Sequence, residues 1–237
     1  MVSTPSSQPK IKLYTNHGCP WSHRAHIALS ELNLPFEEEI IDLTVPRTPE
    51  YLNINPRGVL PSLWYNGEII IDSAIIVQFL ADAHPSHLLP TSNSEGAPLR
   101  RARINFFVDA YFTKVVPVYF KSFGAKSLDE AETFAKDFVD AVSKEVEPLL
   151  ADAAPYFGGS DKLTLAEVLT ASFIIRLFSL TKYGVLHQST VSALSERTPN
   201  FYTWAQAVIR HRSVTSIYDE SAIVQGIKDW IAKMTNK

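Results

Sequence analysis

The chain contains one cysteine, Cys19, at the point where a strand pattern gives way to a helical one. Pro20 follows it directly, and proline is favoured in the first turn of a helix, so we predict that Cys19 caps a helix N-terminus. The unpaired amides and the dipole at that end stabilise a thiolate, and Arg24 adds positive charge if it faces inward. The expected chemistry is nucleophilic attack by the Cys19 sulfur. The alternative is a structural cysteine, buried as a small apolar side chain.

Ser22 occupies the position at which a dithiol redox motif would carry its second cysteine. Because the chain has no second thiol, a mixed disulfide on Cys19 needs an external thiol to resolve it. A lone cysteine also makes an intramolecular disulfide impossible, which is typical of proteins from reducing compartments. The pattern therefore excludes a thioredoxin-type dithiol cycle and favours a glutathione-dependent one.

A second candidate element is the stretch at residues 55–63, which contains Leu60-Pro61. Pro61 stands at the start of a predicted strand, where a trans proline would interrupt the hydrogen-bond ladder. A cis Leu60–Pro61 bond would turn the backbone of Leu60 outward, so that its N–H and C=O could pair with an extended peptide ligand. The alternative is an ordinary trans proline at the first residue of a strand.

The third candidate element is the pair Asp72-Ser73, which follows a predicted strand and begins a predicted helix. Ser73 and the neighbouring amides could hold a carboxylate, as helix N-termini commonly do. Asp72 could hold an ammonium group. The alternative is that Asp72 serves only as the helix N-cap.

These three elements fall within an alternation of strand and helix signals in the first third of the chain. The order is β-α-β-(helix or loop)-β-β-α, with an Asn66-Gly67 hairpin turn between the last two strands. The segment that follows is rich in proline, serine, histidine and asparagine, a composition typical of a linker. The predicted strands are residues 11–14, 36–41, 61–64 and 69–71, and the predicted helices are residues 21–32 and 73–83.

Long helical patterns replace the strand signals after the linker. One helix start is sharply marked, because Thr164 and Glu167 fit a capping box with Leu163 and Val168 as its hydrophobic staple. The predicted fold is α+β: an N-terminal thioredoxin-like α/β domain followed by an all-α helical bundle. The predicted helices are residues 99–123, 128–150, 165–183, 201–210 and 221–234, and the predicted boundaries are a disordered tail at 1–10, domains at 11–88 and 98–237, and a linker at 89–97.

The composition excludes several functional classes. The 237 residues carry a net charge of -3, which gives no electrostatic footprint for nucleic acid or an anionic membrane. No apolar run is long enough to span a bilayer, and the polar first ten residues do not resemble a signal peptide. The seven histidines show no metal-ligand spacing, since His23 and His26 have no third ligand in view. We expect a soluble, cytoplasmic protein without a metal, a nucleic-acid partner or a membrane partner.

In this order and spacing, the three elements resemble the glutathione-binding domain of the cytosolic glutathione transferase superfamily, and the resemblance extends over the whole chain. The Cys-Pro-aromatic start is most similar to the omega class. The resemblance implies a cis Pro61, a Leu60 backbone paired with the cysteinyl unit of glutathione, and Asp72 and Ser73 at the γ-glutamyl end. Asp72 is one methylene shorter than the glutamate usual in omega enzymes, which puts its reach in doubt.

The resemblance also places Pro20 and Trp21 in the glutathione site and makes Arg47 the nearest match to a basic residue at the glycine carboxylate. It implies glutathione as co-substrate, a small electrophile or mixed disulfide as second substrate, and a homodimer. The second substrate is expected between the domains, although aromatic residues at helical spacing are more often core. The candidates are Phe107, Tyr111, Tyr119 and Phe178, with Arg176 for an anionic substrate.

The activity that this resemblance implies is glutathione thiol transfer through Cys19: deglutathionylation, small-disulfide reduction or dehydroascorbate reduction. One alternative is glutathione conjugation or a zeta-like isomerisation, in which Cys19 only binds the sulfur of glutathione and Ser22 or Tyr14 activates it. The other alternative is a non-enzymatic binding or regulatory module, because the fold also serves such roles.

Overall fold

A four-stranded sheet forms the centre of the N-terminal half. The computed structural model describes residues 8–235, so the predicted tail lies largely outside the described residues. The strand order is β2-β1-β3-β4, with β1 parallel to β2 and antiparallel to β3, and β3 antiparallel to β4. The strands are β1 (Ile11–Thr15), β2 (Glu37–Ile40), β3 (Ser62–Tyr65) and β4 (Glu68–Ile71).

Helices cover both faces of this sheet. Alternate strand residues point to opposite faces, so Leu13 and Leu63 enter the main core while Tyr14 joins a second cluster. The main core lies against α1 (Pro20–Glu31) and α3 (Ser73–Ala83), which pack on each other. The second cluster includes Tyr51 from α2 (Pro49–Ile54). This arrangement confirms the predicted thioredoxin-like domain.

The hairpin between β3 and β4 is confirmed at the predicted dipeptide. Asn66 and Gly67 both have positive φ, 51° and 105°, as a tight two-residue turn requires. Tyr65 pairs with Glu68 on either side of the turn. The turn therefore fixes the register that brings β4 to the start of α3.

The C-terminal half consists of helices, as predicted. Helix α7 lies at its centre, with nearly all of its side chains buried, and packs against α1, α3, α4 and α9. The helices are α4 (Ala97–Ala110), α5 (Val116–Lys121), α6 (Leu128–Glu145), α7 (Leu165–Lys182), α8 (Ser189–Arg197), α9 (Pro199–Val208), α10 (Arg212–Thr215) and α11 (Glu220–Thr235). Within the described residues, no helix is both long and apolar enough to cross a membrane.

The capping box at the start of α7 is present. The amide of Thr164 donates to Glu167 Oε2 at 2.7 Å, and the Thr164 hydroxyl accepts from the amide of Ala166 at 3.2 Å. The same carboxylate accepts from the amide of Phe157 at 2.7 Å and from Trp204 Nε1 at 2.6 Å. Glu167 thus links the loop before α7 to helix α9.

The predicted helix at residues 99–123 is interrupted. Between α4 and α5 the chain forms a π-helical segment, Tyr111–Val115, and Pro117 stands in the first turn of α5. Proline has no N–H and its ring clashes with the carbonyl four residues earlier, so a regular α-helix cannot continue through it. The wider π turn accommodates the proline, so that α5 follows α4 without an intervening loop.

Candidate active site

Cys19 is the N-cap of α1. Its backbone is extended (φ −78°, ψ 121°), Pro20 stands in the first turn, and the amide of His23 donates to the Cys19 carbonyl at 3.1 Å. The Cys19 side chain is a free thiol of intermediate exposure. It packs against the cluster of Tyr14, Tyr51 and Leu60. The predicted helix-terminal position of the thiol is therefore confirmed.

The turn before Cys19 is held from two sides. The amide of Gly18 donates to Asn16 Oδ1 at 2.9 Å, and the amide of Cys19 donates to the Asn16 carbonyl at 3.0 Å. From helix α7, Arg176 Nη2 donates to the Gly18 carbonyl at 3.1 Å and Nη1 lies 3.2 Å from His23 Nδ1. A buried guanidinium of the second domain thus fixes the backbone next to the thiol.

Two polar side chains hold the backbone before Pro61. The Leu60–Pro61 bond is cis, as predicted. The Tyr51 hydroxyl donates to the Val59 carbonyl at 2.6 Å, and Asn55 Nδ2 donates to the same oxygen at 2.9 Å. Both groups also contact Ser62 Oγ, at 3.0 and 3.1 Å. These residues link α2 to the segment that leads into β3.

Arg24 lies in a cage of aromatic rings. Its guanidinium carbon is 4.5 Å from the centre of the Trp21 ring, 4.1 Å from that of Phe112 and 5.5 Å from that of Phe173. Nη1 donates to Ser73 Oγ at 3.0 Å, while Nε is buried and has no hydrogen-bond partner in the part of the chain that the structure describes. Burial lowers the pKa of Arg24 to about 9, against the opposing effect of the Asp72 charge. The guanidinium therefore stays charged at neutral pH beside Ser73.

Asp72 forms the N-cap of α3 with a positive φ of 77°. Its Oδ1 accepts from the amide of Ala74 at 2.9 Å and from that of Ile75 at 3.4 Å. The capping role that the sequence left open is thus present. Asp72 is also exposed and lines the cleft described next.

A cleft of about 480 Å³ lies between the N-terminal domain and helix α4. We call it the interdomain cleft. Four of its lining residues are predicted glutathione contacts, namely Trp21, Leu60, Asp72 and Ser73. The others are Arg24, Val59, Ala74, Val108, Asp109 and Phe112.

Sequence reasoning did not identify Val108, Asp109 or Phe112. No local signal marks them, because they reach the cleft only through the packing of α4 and the π turn on the N-terminal domain. The contact between Arg24 and Trp21 could have been inferred, since residues three apart share one face of a helix.

Arg47 lies in the loop between β2 and α2 and does not line this cleft. Its Nε donates to the Gly58 carbonyl at 3.1 Å, and Nη1 donates to the carbonyls of Asp42 and Val45 at 2.7 and 2.9 Å. These bonds close the loop on itself. The assignment of Arg47 to the glycine carboxylate of glutathione stays a prediction.

The five residues predicted for a second substrate do not line the interdomain cleft. Phe107 is fully buried between Phe157 and Trp204, at ring distances of 5.0 and 5.5 Å. Tyr111 and Tyr119 are buried, and burial raises the pKa of both hydroxyls. Phe178 lines a separate cavity. Arg176 is buried and supports the Cys19 turn, as described above.

Comparison with known proteins identifies the family. The family model of the glutathione S-transferase N-terminal domain matches residues 18–83, from the Cys19 turn to the end of α3. A solved structure, glutathione transferase Omega 2C from Trametes versicolor, is 27% identical with a TM-score of 0.79, over 94% of this chain and 99% of that one. The N-terminal domain is that of a glutathione transferase. Relatives that cover most of the chain are also named glutathione transferases, which supports transferase activity in this chain.

Two relatives of this transferase represent different classes. Glutathione transferase omega-1 of Caenorhabditis elegans is 26% identical over 219 residues, which cover 90% of this chain and 82% of the relative. A zeta-class glutathione S-transferase of Euphorbia esula is 29% identical over 171 residues, which cover 68% of this chain and 73% of the relative. The identities to the two classes are too close to separate them, so the class must be argued from the site.

Proposed function

We propose that this transferase is omega-like and transfers thiols between glutathione and a second substrate through Cys19. One observation carries the proposal: a free, partly exposed thiol caps the N-terminus of α1. The N-terminus of α1 carries unpaired amides and the positive end of the helix dipole, and the buried guanidiniums of Arg24 and Arg176 add positive charge in the same region. A serine in this position could not form a mixed disulfide.

The reaction begins with attack of the Cys19 thiolate on the glutathione sulfur of a mixed disulfide, R–S–S–G. The substrate S–S bond breaks, a Cys19–S–S–G bond forms, and the leaving thiolate takes a proton from water. A second glutathione, as its thiolate, attacks the glutathione sulfur of the adduct, forms oxidised glutathione and restores the Cys19 thiolate. Ser22 is buried and the chain has no other cysteine, so only an external thiol can complete the cycle.

The lining of the interdomain cleft supports glutathione binding there. Leu60 lines the cleft, and its backbone suits the cysteinyl unit of an extended peptide. Ser73 and the first amides of α3 suit the γ-glutamyl carboxylate, and the Arg24 charge beside Ser73 favours the same group. Asp72 suits the ammonium group. Trp21 covers this end of the cleft with an apolar ring.

A second candidate function is glutathione conjugation or isomerisation, in which Cys19 only binds the sulfur of glutathione. One observation favours it: Tyr14 stands in the cluster against which Cys19 packs. The Ser22 hydroxyl is buried in the first turn of α1, without a hydrogen-bond partner among the described residues. Of the two residues suggested to activate the glutathione thiol, Tyr14 is therefore the better placed.

The homodimer and the cytoplasmic location are part of the same proposal. Both rest on membership of the family, and sedimentation equilibrium of the purified chain tests the first. A third candidate function is a non-enzymatic binding module. The intact thiol at Cys19 argues against it. Glutathione binding without turnover in any assay would support that reading.

The test compares two reactions in two variants. We expect wild type to reduce the mixed disulfide of glutathione and mercaptoethanol faster than it conjugates chlorodinitrobenzene. Cys19→Ser should lower kcat/KM for the disulfide by about 100-fold or more, because the nucleophile is lost. Ser22→Ala is the matched control in the same helical turn and should retain the activity. If Cys19→Ser instead keeps or gains conjugation and wild type shows no disulfide reduction, the second candidate function replaces the first.

A further inference from the structure

Three potential metal ligands converge on the side of the N-terminal domain that carries the Cys19 turn. His17 lies in that turn, His26 lies on α1 and Glu38 lies on the edge strand β2. One nitrogen or oxygen atom of each lies within 4.8 Å of those of the other two. The three residues come from separate elements, so their spacing in the sequence gives no metal-binding motif.

His26 is the fixed member of this group. Only 2% of its side chain is exposed, and its Nε2 lies 2.8 Å from the Thr15 hydroxyl. The opposite nitrogen, Nδ1, is buried and lacks a hydrogen-bond partner among residues 8–235. It points toward Glu38 Oε1 at 3.8 Å. A buried ring nitrogen without a partner is costly in a folded protein, unless the position is occupied by a ligand.

The distances suit a single ion of the size of Zn²⁺. Ligands bound to zinc at about 2.0–2.2 Å in tetrahedral geometry lie roughly 3.4 Å from each other. His17 Nε2 is 2.7 Å from Glu38 Oε2, and His26 Nδ1 is 3.8 Å from Glu38 Oε1. These values lie on either side of that separation. His17 and Glu38 are partly exposed, so their side chains have room to rotate toward a common centre with His26.

The donor set selects the class of metal. Two imidazole nitrogens with one carboxylate oxygen suit Zn²⁺ and similar divalent transition metals, whereas Ca²⁺ and Mg²⁺ prefer oxygen ligands throughout. When Nδ1 of His26 binds a metal, its Nε2–H donates to Thr15, which is the outer-sphere contact that orients a metal-bound imidazole. The exposed side of His17 leaves a path for the ion to enter and a position for water.

We propose that His17, His26 and Glu38 form a binding site for one divalent transition-metal ion of the Zn²⁺ type. The site is separate from the interdomain cleft, and none of its three ligands lines that cleft. It shares the turn that carries the thiol, because His17 stands two residues before Cys19 and between Asn16 and Gly18, whose contact closes the turn. Metal binding would therefore tie β2 to this turn through Glu38.

The test is calorimetric titration of Zn²⁺ into the untagged, metal-free full chain. A thiol also binds zinc, so the titrations use the Cys19→Ser background alongside wild type. We expect one Zn²⁺ per chain in both. His17→Ala and Glu38→Gln should each weaken binding by about tenfold or more, since even outer-sphere substitutions cost 10–100-fold. His87→Ala is the matched control, because it also removes a partly exposed histidine paired with a glutamate, Glu31.

Three results would overturn the proposal. Loss of binding in Cys19→Ser alone would assign the ion to the thiol. Equal affinity in His17→Ala, Glu38→Gln and His87→Ala would show adventitious binding to surface histidines. No heat of binding in either background would exclude a site. Circular dichroism of each variant shows that the fold is retained, and disulfide-reduction activity of metal-free wild type tests the Cys19 mechanism independently of this site.

Discussion

Asp72 caps helix α3 through one carboxylate oxygen and also lines the interdomain cleft. Substitution separates the two roles. Asparagine is as good an N-cap as aspartate and tolerates positive φ, so Asp72→Asn should leave stability nearly unchanged. It removes the negative charge, however, and should weaken glutathione binding by about tenfold, the loss of one charge-assisted hydrogen bond. Tryptophan fluorescence titration with glutathione measures the affinity.

Asp72→Ala provides the comparison for that experiment. It removes both cap bonds and places a side chain without a local hydrogen bond at φ 77°, so it should also lower the free energy of unfolding by about 1 kcal/mol. Unchanged glutathione affinity in Asp72→Asn, with a loss of stability only in Asp72→Ala, would show that Asp72 is an N-cap and nothing more.

The sequence predicts some residues of the site well and others not at all. Cys19, Pro61 and Asp72 stand beside local signals, a helix start or a strand entry, and the structure places each at that signal. The hydrogen bonds that hold the site in place come from distant parts of the chain. Ser73 receives its bond from Arg24, 49 residues away, and Gly18 receives one from Arg176, 158 residues away. Such contacts depend on tertiary packing, which periodicity does not encode.

At the scale of elements, the start of α7 depends on one buried carboxylate. Glu167 accepts from the amides of Thr164 and Phe157, from the Thr164 hydroxyl and from Trp204 Nε1. In Glu167→Gln the side-chain amide would present its own N–H groups to these donors. We expect the free energy of unfolding to fall by about 3 kcal/mol, because buried donors lose their acceptor. Urea denaturation measures the change.

Thr164→Ser is the control for that substitution. It keeps the hydroxyl of the capping box and removes one methyl group, so the loss should be less than about 1 kcal/mol. If Glu167→Gln is no less stable than Thr164→Ser, the carboxylate network contributes little and α7 is held by its apolar packing alone.

The elements that the sequence predicted have strong local signals, and those it missed do not. The Thr164 cap, the Asn66-Gly67 turn and the boundaries of α3 each follow from specific residue types. Helix α8 (Ser189–Arg197) was not predicted, because serine competes with the backbone for hydrogen bonds and gives a weak helical pattern. The π turn before Pro117 was also missed. Apolar periodicity continues through that segment although the proline interrupts its hydrogen bonds.

At the scale of the whole molecule, His23 connects the two domains. Its ring lies between Arg176 of α7 at Nδ1 and the carbonyl of Val214 at Nε2, with the latter at 2.9 Å. Since Nε2 contacts a carbonyl, it carries the hydrogen, and Nδ1 accepts from Arg176. Burial, followed by the positive charge of Arg176, holds the pKa of His23 well below its ordinary value. The folded protein therefore keeps this ring neutral.

This neutral ring makes stability depend on pH. A histidine in the unfolded chain titrates near 6.5, so below that pH the unfolded state binds a proton that the folded state excludes. The stabilising contribution of His23 is fully present above pH 6.5 and is lost as the pH falls toward the lowered folded pKa. The expected slope is about 1.4 kcal/mol per pH unit for this one group. Urea denaturation between about pH 7.5 and pH 5, a range that spans the unfolded pKa of about 6.5, measures it.

His23→Gln removes the titrating group but retains a donor and an acceptor in the same position. Its unfolding free energy should depend less steeply on pH over that range than that of wild type, by the slope given above. If the free energy of unfolding depends on pH equally in the two proteins, His23 is not the group responsible, and the account is contradicted.

The central claim is that Cys19 carries glutathione as a mixed disulfide during turnover. The most direct measurement is intact-protein mass spectrometry after mixing the enzyme with one equivalent of oxidised glutathione, followed by addition of reduced glutathione. We predict one glutathione adduct, mapped by peptide digestion to Cys19, which disappears with reduced glutathione at a rate at least equal to kcat and does not form in Cys19→Ser. If wild type turns over disulfide substrate without an adduct, or if the adduct is released more slowly than kcat, Cys19 is not the redox nucleophile.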